Sequence, residues 1–370
     1  MEDVFRFADD LGPLKIVHIH RSSLNLKAVV AVDNVACGPA IGGVRMAPDV
    51  STEEAFRLAR AMTLKNAAAG LAHGGGKSVI YGDPKMPLGE KERLIRAFAS
   101  AIADLTEYIP GPDMGTDELA MGWIKDETGR SVGLPREIGG IPLDEIGATG
   151  FGLAAAIDVA SRQIGLELKG ARVVVQGFGS VGRHAARFLA EKGAILVAAC
   201  DSQGTIADSA GLDIAALAAL KAEGRSLKEH SHGRSAGIDA VIDVPCDIWI
   251  PAARPDVITA ANVARLNTRL VAQGANIPCT TEAELALAAR GVLVLPDFIA
   301  NAGGVICAAI EYHGGTQAQA FATIDEKIRV NTQAVLDEAR RTKSLPRTAA
   351  VSLAKERVRR AMRTRRWDAR

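Results

Sequence analysis

The stretch that most constrains the fold is Gly177-Phe178-Gly179-Ser180-Val181-Gly182, because of what flanks it. Residues 171–176 (ARVVVQ) form the apolar run of a buried parallel strand. A helix is expected through Arg187-Phe188-Leu189, and a second strand over 194–200 ends at Asp201. Strand, Gly-x-Gly-x-x-Gly, helix, strand and acid together make a dinucleotide fingerprint. Its glycines let a pyrophosphate approach the helix N-terminus, where free N–H groups and the helix dipole favour an anion. Asp201 is expected to bind the adenosine ribose hydroxyls and to repel a 2′-phosphate. That makes NAD the expected cofactor, with NADP not excluded by Ser202 and Gln203.

Further strands are expected at 247–250, 269–272 and 292–295. They run into Pro251-Ala252-Ala253, into Gln273-Gly274-Ala275-Asn276 and, past Pro296-Asp297, into Asn301-Ala302-Gly303-Gly304. Strand ends on one edge of an open α/β sheet are where ligands bind, so Ala252, Asn276 and Asn301 join the cofactor candidates. Both asparagines have an equally physical explanation as turn formers.

A chain of 370 residues exceeds one ordinary core, so two domains are expected. A net charge of +1 excludes the basic excess of a dedicated nucleic-acid binder. No apolar run is long enough to span a bilayer. Met1-Glu2-Asp3-Val4-Phe5 lacks the basic and apolar regions of an export signal. The five cysteines are scattered without a C-x-x-C pair, which fits reduced thiols in the cytoplasm and argues against a metal or disulfide framework.

In the first half, residues 27–33 (KAVVAVD) predict a strand, followed by a loop through Gly42-Gly43 that reads by itself as a plain turn, with an offer of backbone N–H groups to a small anion as the alternative. Ser51 and Glu54 have the spacing of a capping box, opening a helix with Ala55, Leu58, Ala59 and Met62 on one face. Lys65 projects from that same face and calls for an anionic partner. The helix leads to Gly74-Gly75-Gly76-Lys77-Ser78, read as a glycine hinge before a buried strand at Val79-Ile80-Tyr81. A lone His73 in that stretch is taken as packed. A further helix is expected over 90–108. In Pro110-Gly111-Pro112-Asp113, proline and glycine stiffen the chain around Asp113, while Thr116 is expected to cap the next helix. Lys65, Lys77 and Asp113 therefore form the candidate reaction centre. From about Arg347 a last helix is expected, with Val351, Ala354, Val358 and Ala361 on one face and a basic, solvated face that includes Arg365 and Arg366.

These motifs occur together, and in order, in one family. The chain resembles the glutamate/leucine/phenylalanine/valine dehydrogenases through Gly42-Gly43-Val44-Arg45, Met62-Thr63-Leu64-Lys65-Asn66, Gly74-Gly75-Gly76-Lys77, Pro112-Asp113-Met114-Gly115-Thr116, Ala148-Thr149-Gly150, the glycine fingerprint, Gly274-Ala275-Asn276 and Asn301-Ala302-Gly303-Gly304-Val305. The resemblance implies NAD(P)-linked oxidative deamination of an L-amino acid to its 2-oxo acid and ammonia. It implies that Lys65, helped by the Gly42-Gly43 backbone, binds the substrate carboxylate, that Lys77 activates water, and that Asp113 shuttles protons. Thr149 and Asn276 would lie near the nicotinamide and its ribose. The implied architecture is an α/β catalytic domain with a mixed sheet (1–145 plus 325–370), a doubly wound Rossmann domain (146–324) and an active site in the cleft between them. A homo-oligomer is expected, with no nucleic-acid or membrane partner.

Glutamate-specific members place a lysine and a serine where this chain has Ile41 and Ala308. Together with Met62, Gly111 and Val305, these positions imply an apolar pocket with room for a bulky aliphatic or aromatic side chain. Against this, Pro112–Thr116 and Asp201-Ser202-Gln203-Gly204 look more like glutamate enzymes. Glutamate dehydrogenase activity, or a non-catalytic protein binding amino acid and NAD, are the alternatives.

Overall fold

The computed structural model describes residues 5–364, so the expectations resting on Met1–Val4 and on Arg365 and Arg366 lie outside the described residues. Contacts divide the chain into two units. The first holds the chain up to Leu143, Val305–Ala320 and the chain from Val351; the second holds Asp144–Gly304 and Phe321–Ala350. The C-terminal portion is thus shared out differently from the expected break at 325. Buried polar anchors explain the difference. Glu311 accepts hydrogen bonds from the N–H groups of Gly133 (2.7 Å) and Ile141 (2.7 Å), tying its helix to the first unit. In the second unit Arg329 bonds Asp158 at 2.7 Å, and Arg347 reaches Glu284, Asp297 and Gln273.

The first unit is built on a five-stranded mixed sheet. Its strands are β1 (Lys15–Arg21), β2 (Leu26–Asn34), β3 (Ala40–Ala47), β4 (Gly74–Tyr81) and β5 (Tyr108–Pro112), in the order β1-β2-β4-β3-β5. β1, β2 and β4 run antiparallel in turn, while β3 is parallel to both β4 and β5. The alternation in β2 decides which side chains face which layer. Val29 and Ala31 meet Ala55 and Ala59 of the helix Thr52–Ala68. Val30 and Val32 join Leu94, Phe98 and Met121 from the helices Leu88–Ala101 and Glu118–Thr128.

Three stretches read as loops are strands. Gly74-Gly75-Gly76 lies within β4, Gly42-Gly43 within β3, and Tyr108–Pro112 is β5. Glycine's low strand propensity misled the reading. What overrides it is close approach. A Cβ on Gly75 would strike the Thr63 backbone, one on Gly74 the Asn34 carbonyl, and one on Gly76 the Tyr108 ring at 2.7 Å. The expected helix over 90–108 ends at Ala101, leaving room for β5.

The second unit carries a seven-stranded sheet. Its strands are β6 (Arg172–Gln176), β7 (Ile195–Cys200), β8 (Thr205–Ala207), β9 (Arg234–Ala236), β10 (Ile248–Pro251), β11 (Leu270–Ala272) and β12 (Leu293–Leu295). Their order is β12-β11-β10-β6-β7-β8-β9, parallel from β12 to β7, with β8 and β9 antiparallel at the edge. The parallel strands are those expected from their apolar runs; β8 and β9, of three residues each, carry too little pattern to read.

The last helix, Pro346–Thr364, buries Ala354 and Val358 against Leu11 and Ala67. Its cations are partly structural: Arg357 donates to the Ala67 and Leu71 carbonyls, and Arg359 pairs with Asp10 at 2.7 Å. No helix among the described residues is long and apolar enough to cross a membrane.

Candidate active site

On one face of the first sheet, alternation lines up Ile41, Gly43 and Arg45 of β3 with Gly75, Lys77 and Val79 of β4. Gly43 lies beside Gly111 of β5, and Asp113 follows just beyond that strand. Lys77 therefore projects from the middle of a sheet rather than from a hinge. Its ammonium is ion-paired with the Asp113 carboxylate, and the two side chains are only 8% and 20% exposed. Gly43 makes this pair possible. A Cβ there would lie 2.7 Å from the Asp113 Cβ and 3.0 Å from the Lys77 Nζ.

Asp113 is held by its own turn. Its N–H donates to the Thr116 hydroxyl, which in turn donates to the Val44 carbonyl at 2.7 Å. Thr116 thus ties the turn to β3, and the capping expected of it falls to Asp117, which accepts from the Ala120 N–H. Arg45 adds a second cation: its Nε donates to Asp113 at 3.1 Å and its guanidinium to Glu54 at 2.6 Å. Glu54 therefore does not complete a capping box, although Ser51 does accept from the Glu54 N–H.

Burial drives the Lys77 pKa below the ordinary lysine value, opposed by Asp113 and reinforced by the charge of Arg45. For Asp113, burial alone would raise the carboxyl, but Lys77 and then Arg45 outweigh it and hold it low. A second cation acting on Lys77 is Arg45, which the sequence offers only as the end of the Gly42-Gly43-Val44-Arg45 motif. Lys65 sits half-buried on the helix Thr52–Ala68, in line with Leu58 and Met62, which are also half-buried. The fully buried face of that helix is Ala55, Ala59, Thr63, Asn66 and Ala67. Asn66 fastens it to β4 by donating to the Gly74 carbonyl at 2.7 Å.

Two expectations about binding groups change. Gly42-Gly43 is flanked by strands on both sides, so it is not a loop that cradles an anion; a Cβ on Gly42 would strike the Gly76 carbonyl. Its glycines serve packing. Gly111 leaves less room than its size suggests, because Val132 Cγ2 lies 3.0 Å from where a Cβ would stand. Val132, buried and tied to the Pro110 carbonyl, was missed because its segment has no periodicity. Ile41 and Ala308 are buried and Val305 is half-buried. The packed His73 accepts its expected bland role, with its Nδ1 3.1 Å from the Pro39 carbonyl.

In the second unit the strand ends converge. A Cβ on Gly177 would meet Ala253 at 2.6 Å, and one on Gly182 the Gly177 carbonyl. Gly274 lies against Val181, Leu153 and Ala252. Ala252 is half-buried, its N–H bonded to the Gln176 carbonyl at 2.7 Å. Asn301 is buried and donates to the Gly274 carbonyl at 3.2 Å and to Asn276 Oδ1 at 3.0 Å, so it braces the turn after β11. Asn276 is exposed and Thr149 half-buried in the first turn of the helix Ala148–Gln163.

A buried lysine is paired with an aspartate on one unit, a glycine fingerprint lies on the other, and the chain matches known proteins over most of its length. Residues 16–130 match the Glu/Leu/Phe/Val dehydrogenase dimerisation domain, and residues 139–366 match the Glutamate/Leucine/Phenylalanine/Valine dehydrogenase domain. The chain belongs to that family. A glutamate dehydrogenase of Aeropyrum pernix is 39% identical over 357 residues, covering 90% of this chain and 85% of its own. Among solved structures, a hetero-hexameric glutamate dehydrogenase from Thermus thermophilus in its Leu bound form superposes with a TM-score of 0.84 at 29% identity, covering 95% of this chain and 90% of that one. An L-tryptophan dehydrogenase from Nostoc punctiforme gives 0.75 at 26% identity, covering 95% and 97%. The protein is an NAD(P)-dependent amino-acid dehydrogenase.

For such a dehydrogenase the glycine turn fits a pyrophosphate. A Cβ on Gly179 would meet nothing within 4 Å, so the backbone of Gly179 and Ser180 is open to a ligand. The helix Ser180–Ala190 begins without a side-chain cap, which leaves its first-turn N–H groups for an anion. Phe178 is buried behind the turn, and Val181 packs against Gly274. Asp201, expected at the adenosine ribose, has both carboxylate oxygens engaged within the protein. Its Oδ1 accepts from the N–H groups of Gln203 (2.9 Å) and Gly204 (3.2 Å) and from the Ser226 hydroxyl (3.3 Å). Its Oδ2 accepts from Leu227 N–H (2.9 Å) and Lys221 Nζ (3.1 Å).

Proposed function

We propose that this dehydrogenase oxidatively deaminates an apolar L-amino acid, releasing its 2-oxo acid and ammonia. The observation that carries the reading is the buried Ile41, on the face that bears Lys77, where a glutamate side chain would need a cation. Ala308 and Val132 add no charge. A side-chain carboxylate entering such surroundings without a partner costs several kcal/mol, whereas an apolar side chain gains from burial. One relative of solved structure, the tryptophan dehydrogenase, is in keeping with this reading.

In this reading Lys65 meets the α-carboxylate, beside Met62 on the same helix row. Asp113 takes a proton from the substrate ammonium, which frees the nitrogen lone pair for imine formation. The bound dinucleotide supplies the hydride acceptor, with Gly177–Gly182 holding its pyrophosphate and Thr149 and Asn276 its nicotinamide end. Lys77, in its neutral form, then takes a proton from the water that adds to the imine carbon. Lys77 returns that proton to the nitrogen and, neutral again, takes the hydroxyl proton as the C–N bond breaks, so that ammonia leaves and the carbonyl forms. Burial lowers the Lys77 pKa, which favours the neutral form that this step needs. We place the enzyme in the cytoplasm as a homo-oligomer.

A second reading, glutamate, is favoured by the name of the Aeropyrum relative and by the Pro112–Thr116 motif. A panel of leucine, valine, phenylalanine, tryptophan and glutamate, each assayed for reduced nucleotide, separates the two. The apolar reading expects kcat/KM at least about a hundredfold above glutamate for one of the first four. Robust turnover of glutamate alone would refute it.

A further inference from the structure

Between Gly129 and Pro142 the first unit has almost no regular structure, only the short helical turn Arg136–Ile138. Yet Ser131, Val132, Gly133, Leu134 and Ile141 in that segment are buried. A buried segment outside helix and sheet must find other partners for its backbone N–H groups. On the β5 side, the Pro110 carbonyl accepts from the Val132 N–H (2.9 Å) and the Ser131 hydroxyl (3.1 Å). The N–H groups of Gly133, Leu134 and Ile141 all go to one side chain, Glu311.

Glu311 is only 8% exposed. Its Oε1 accepts from Gly133 (2.7 Å) and Leu134 (3.2 Å), and its Oε2 from Ile141 (2.7 Å). Burial raises this carboxyl above its ordinary value, against the Ile141, Leu134 and Gly133 N–H groups. An apolar side chain would be cheaper to bury at this position. What the carboxylate adds is a pair of acceptor oxygens, one for each end of the segment. A glutamine keeps one oxygen and turns an NH₂ group towards an N–H at the other end.

The two things that Glu311 joins both belong to the inferred substrate pocket. Glu311 lies in the last turn of the helix Gly303–Tyr312, three residues beyond Ala308, which is three beyond Val305, so the three follow one row of that helix. Gly133 directly follows Val132, whose Cγ2 stands 3.0 Å from where a Cβ on Gly111 would lie. One wall of the pocket is thus tied to the other through a single carboxylate.

We infer that Glu311 is a positioning residue for the substrate side chain: it fixes Val132 relative to Val305 and Ala308 and so sets the width of the pocket. It acts through Val132 and touches no reacting atom. The inference rests on the assignment of Gly111, Val305 and Ala308 to the substrate side chain.

The test is steady-state kinetics of full-length Glu311→Gln with the same amino-acid panel, together with NADH binding and a thermal melt. KM for the amino acid that the wild type turns over best should rise by about tenfold. The value of kcat should stay within about threefold, because Lys77 and Asp113 keep their ion pair. NADH binding should not move. In a Val132→Ala background, which has already lost that wall, Glu311→Gln should change KM by less than about twofold. A purely structural anchor would move the melting temperature alone, so an unchanged KM, or an equal rise in both backgrounds, would overturn the inference. If Glu311→Gln does not fold, Glu311→Asp, which keeps two acceptor oxygens one methylene short, replaces it under the same two conditions. Turnover of glutamate alone would sink the apolar reading, while the KM split and its dependence on Val132 would still decide the role of Glu311.

Discussion

Two glycine runs stand at strands of the two units, and they use the missing Cβ in opposite ways. Gly74-Gly75-Gly76 lies inside β4, and a Cβ on any of them would strike protein: the Asn34 carbonyl, the Thr63 backbone or the Tyr108 ring. In the fingerprint turn, Gly177 and Gly182 are likewise packed, but around Gly179 there is nothing within 4 Å. One run lets a helix and a tyrosine close onto the sheet that holds Lys77. The other leaves a backbone bare for a phosphate. The same residue type thus marks a packing surface in one unit and a ligand surface in the other, and only the neighbours tell them apart.

The sharpest way to break this comparison is at the groups each run serves. Lys77→Ala should lower kcat by about 10²–10⁴-fold while the NADH dissociation constant stays unchanged, because the nucleotide turn lies in the other unit. An active variant would remove Lys77 from the chemistry. Next come the glycines themselves. Gly76→Ala should lower stability by about 1–3 kcal/mol, because the new Cβ would lie 2.7 Å from the Tyr108 ring, which is buried in the core. Gly179→Ala should cost less than about 1 kcal/mol of stability yet weaken NADH binding by about tenfold or more, since its methyl group takes the space that the phosphate needs. Thermal melts and nucleotide titrations of both variants decide it. Equal stability losses would erase the distinction.

The smallest effects are electrostatic and have opposite signs. Arg45 lowers the Lys77 pKa and Glu54 raises it. Arg45→Gln should therefore move the acid limb of the pH profile of kcat/KM upward, because a higher lysine pKa leaves less neutral base at a given pH. Glu54→Gln should move it downward. Shifts in the same direction would show that the chain Glu54, Arg45, Asp113, Lys77 is not coupled as its geometry indicates.

The legible and illegible parts of this molecule divide along the same physical line. Apolar runs such as β6, β7 and β10 announced themselves, as did the helix Thr52–Ala68, since burial imposes periodicity on sequence. Lys77 and Asp113 were found through their unusual settings, and the structure joins them. What stayed hidden depended on contacts made across the fold. β3 and β5 looked like loops because their glycines and prolines answer to neighbouring strands rather than to local propensity. Arg45 reaches Asp113, 68 residues away in the chain, through an ion pair that no local pattern announces. Asp201 kept its place at the end of β7, but its oxygens had been claimed by a loop whose fold no motif describes.

The central claim is that a sheet face cleared by glycines buries Lys77 beside Asp113 and thereby makes it a base. The ionisation of Lys77 itself tests this most directly: the rate of its acylation by a small reagent at trace level, followed from pH 6 to 11 by peptide mass analysis of the intact enzyme. The account predicts a midpoint below the ~10.4 of an exposed lysine, and a further fall in Asp113→Asn, which removes the carboxylate that opposes the shift. A midpoint at or above the ordinary value in the wild type would contradict it.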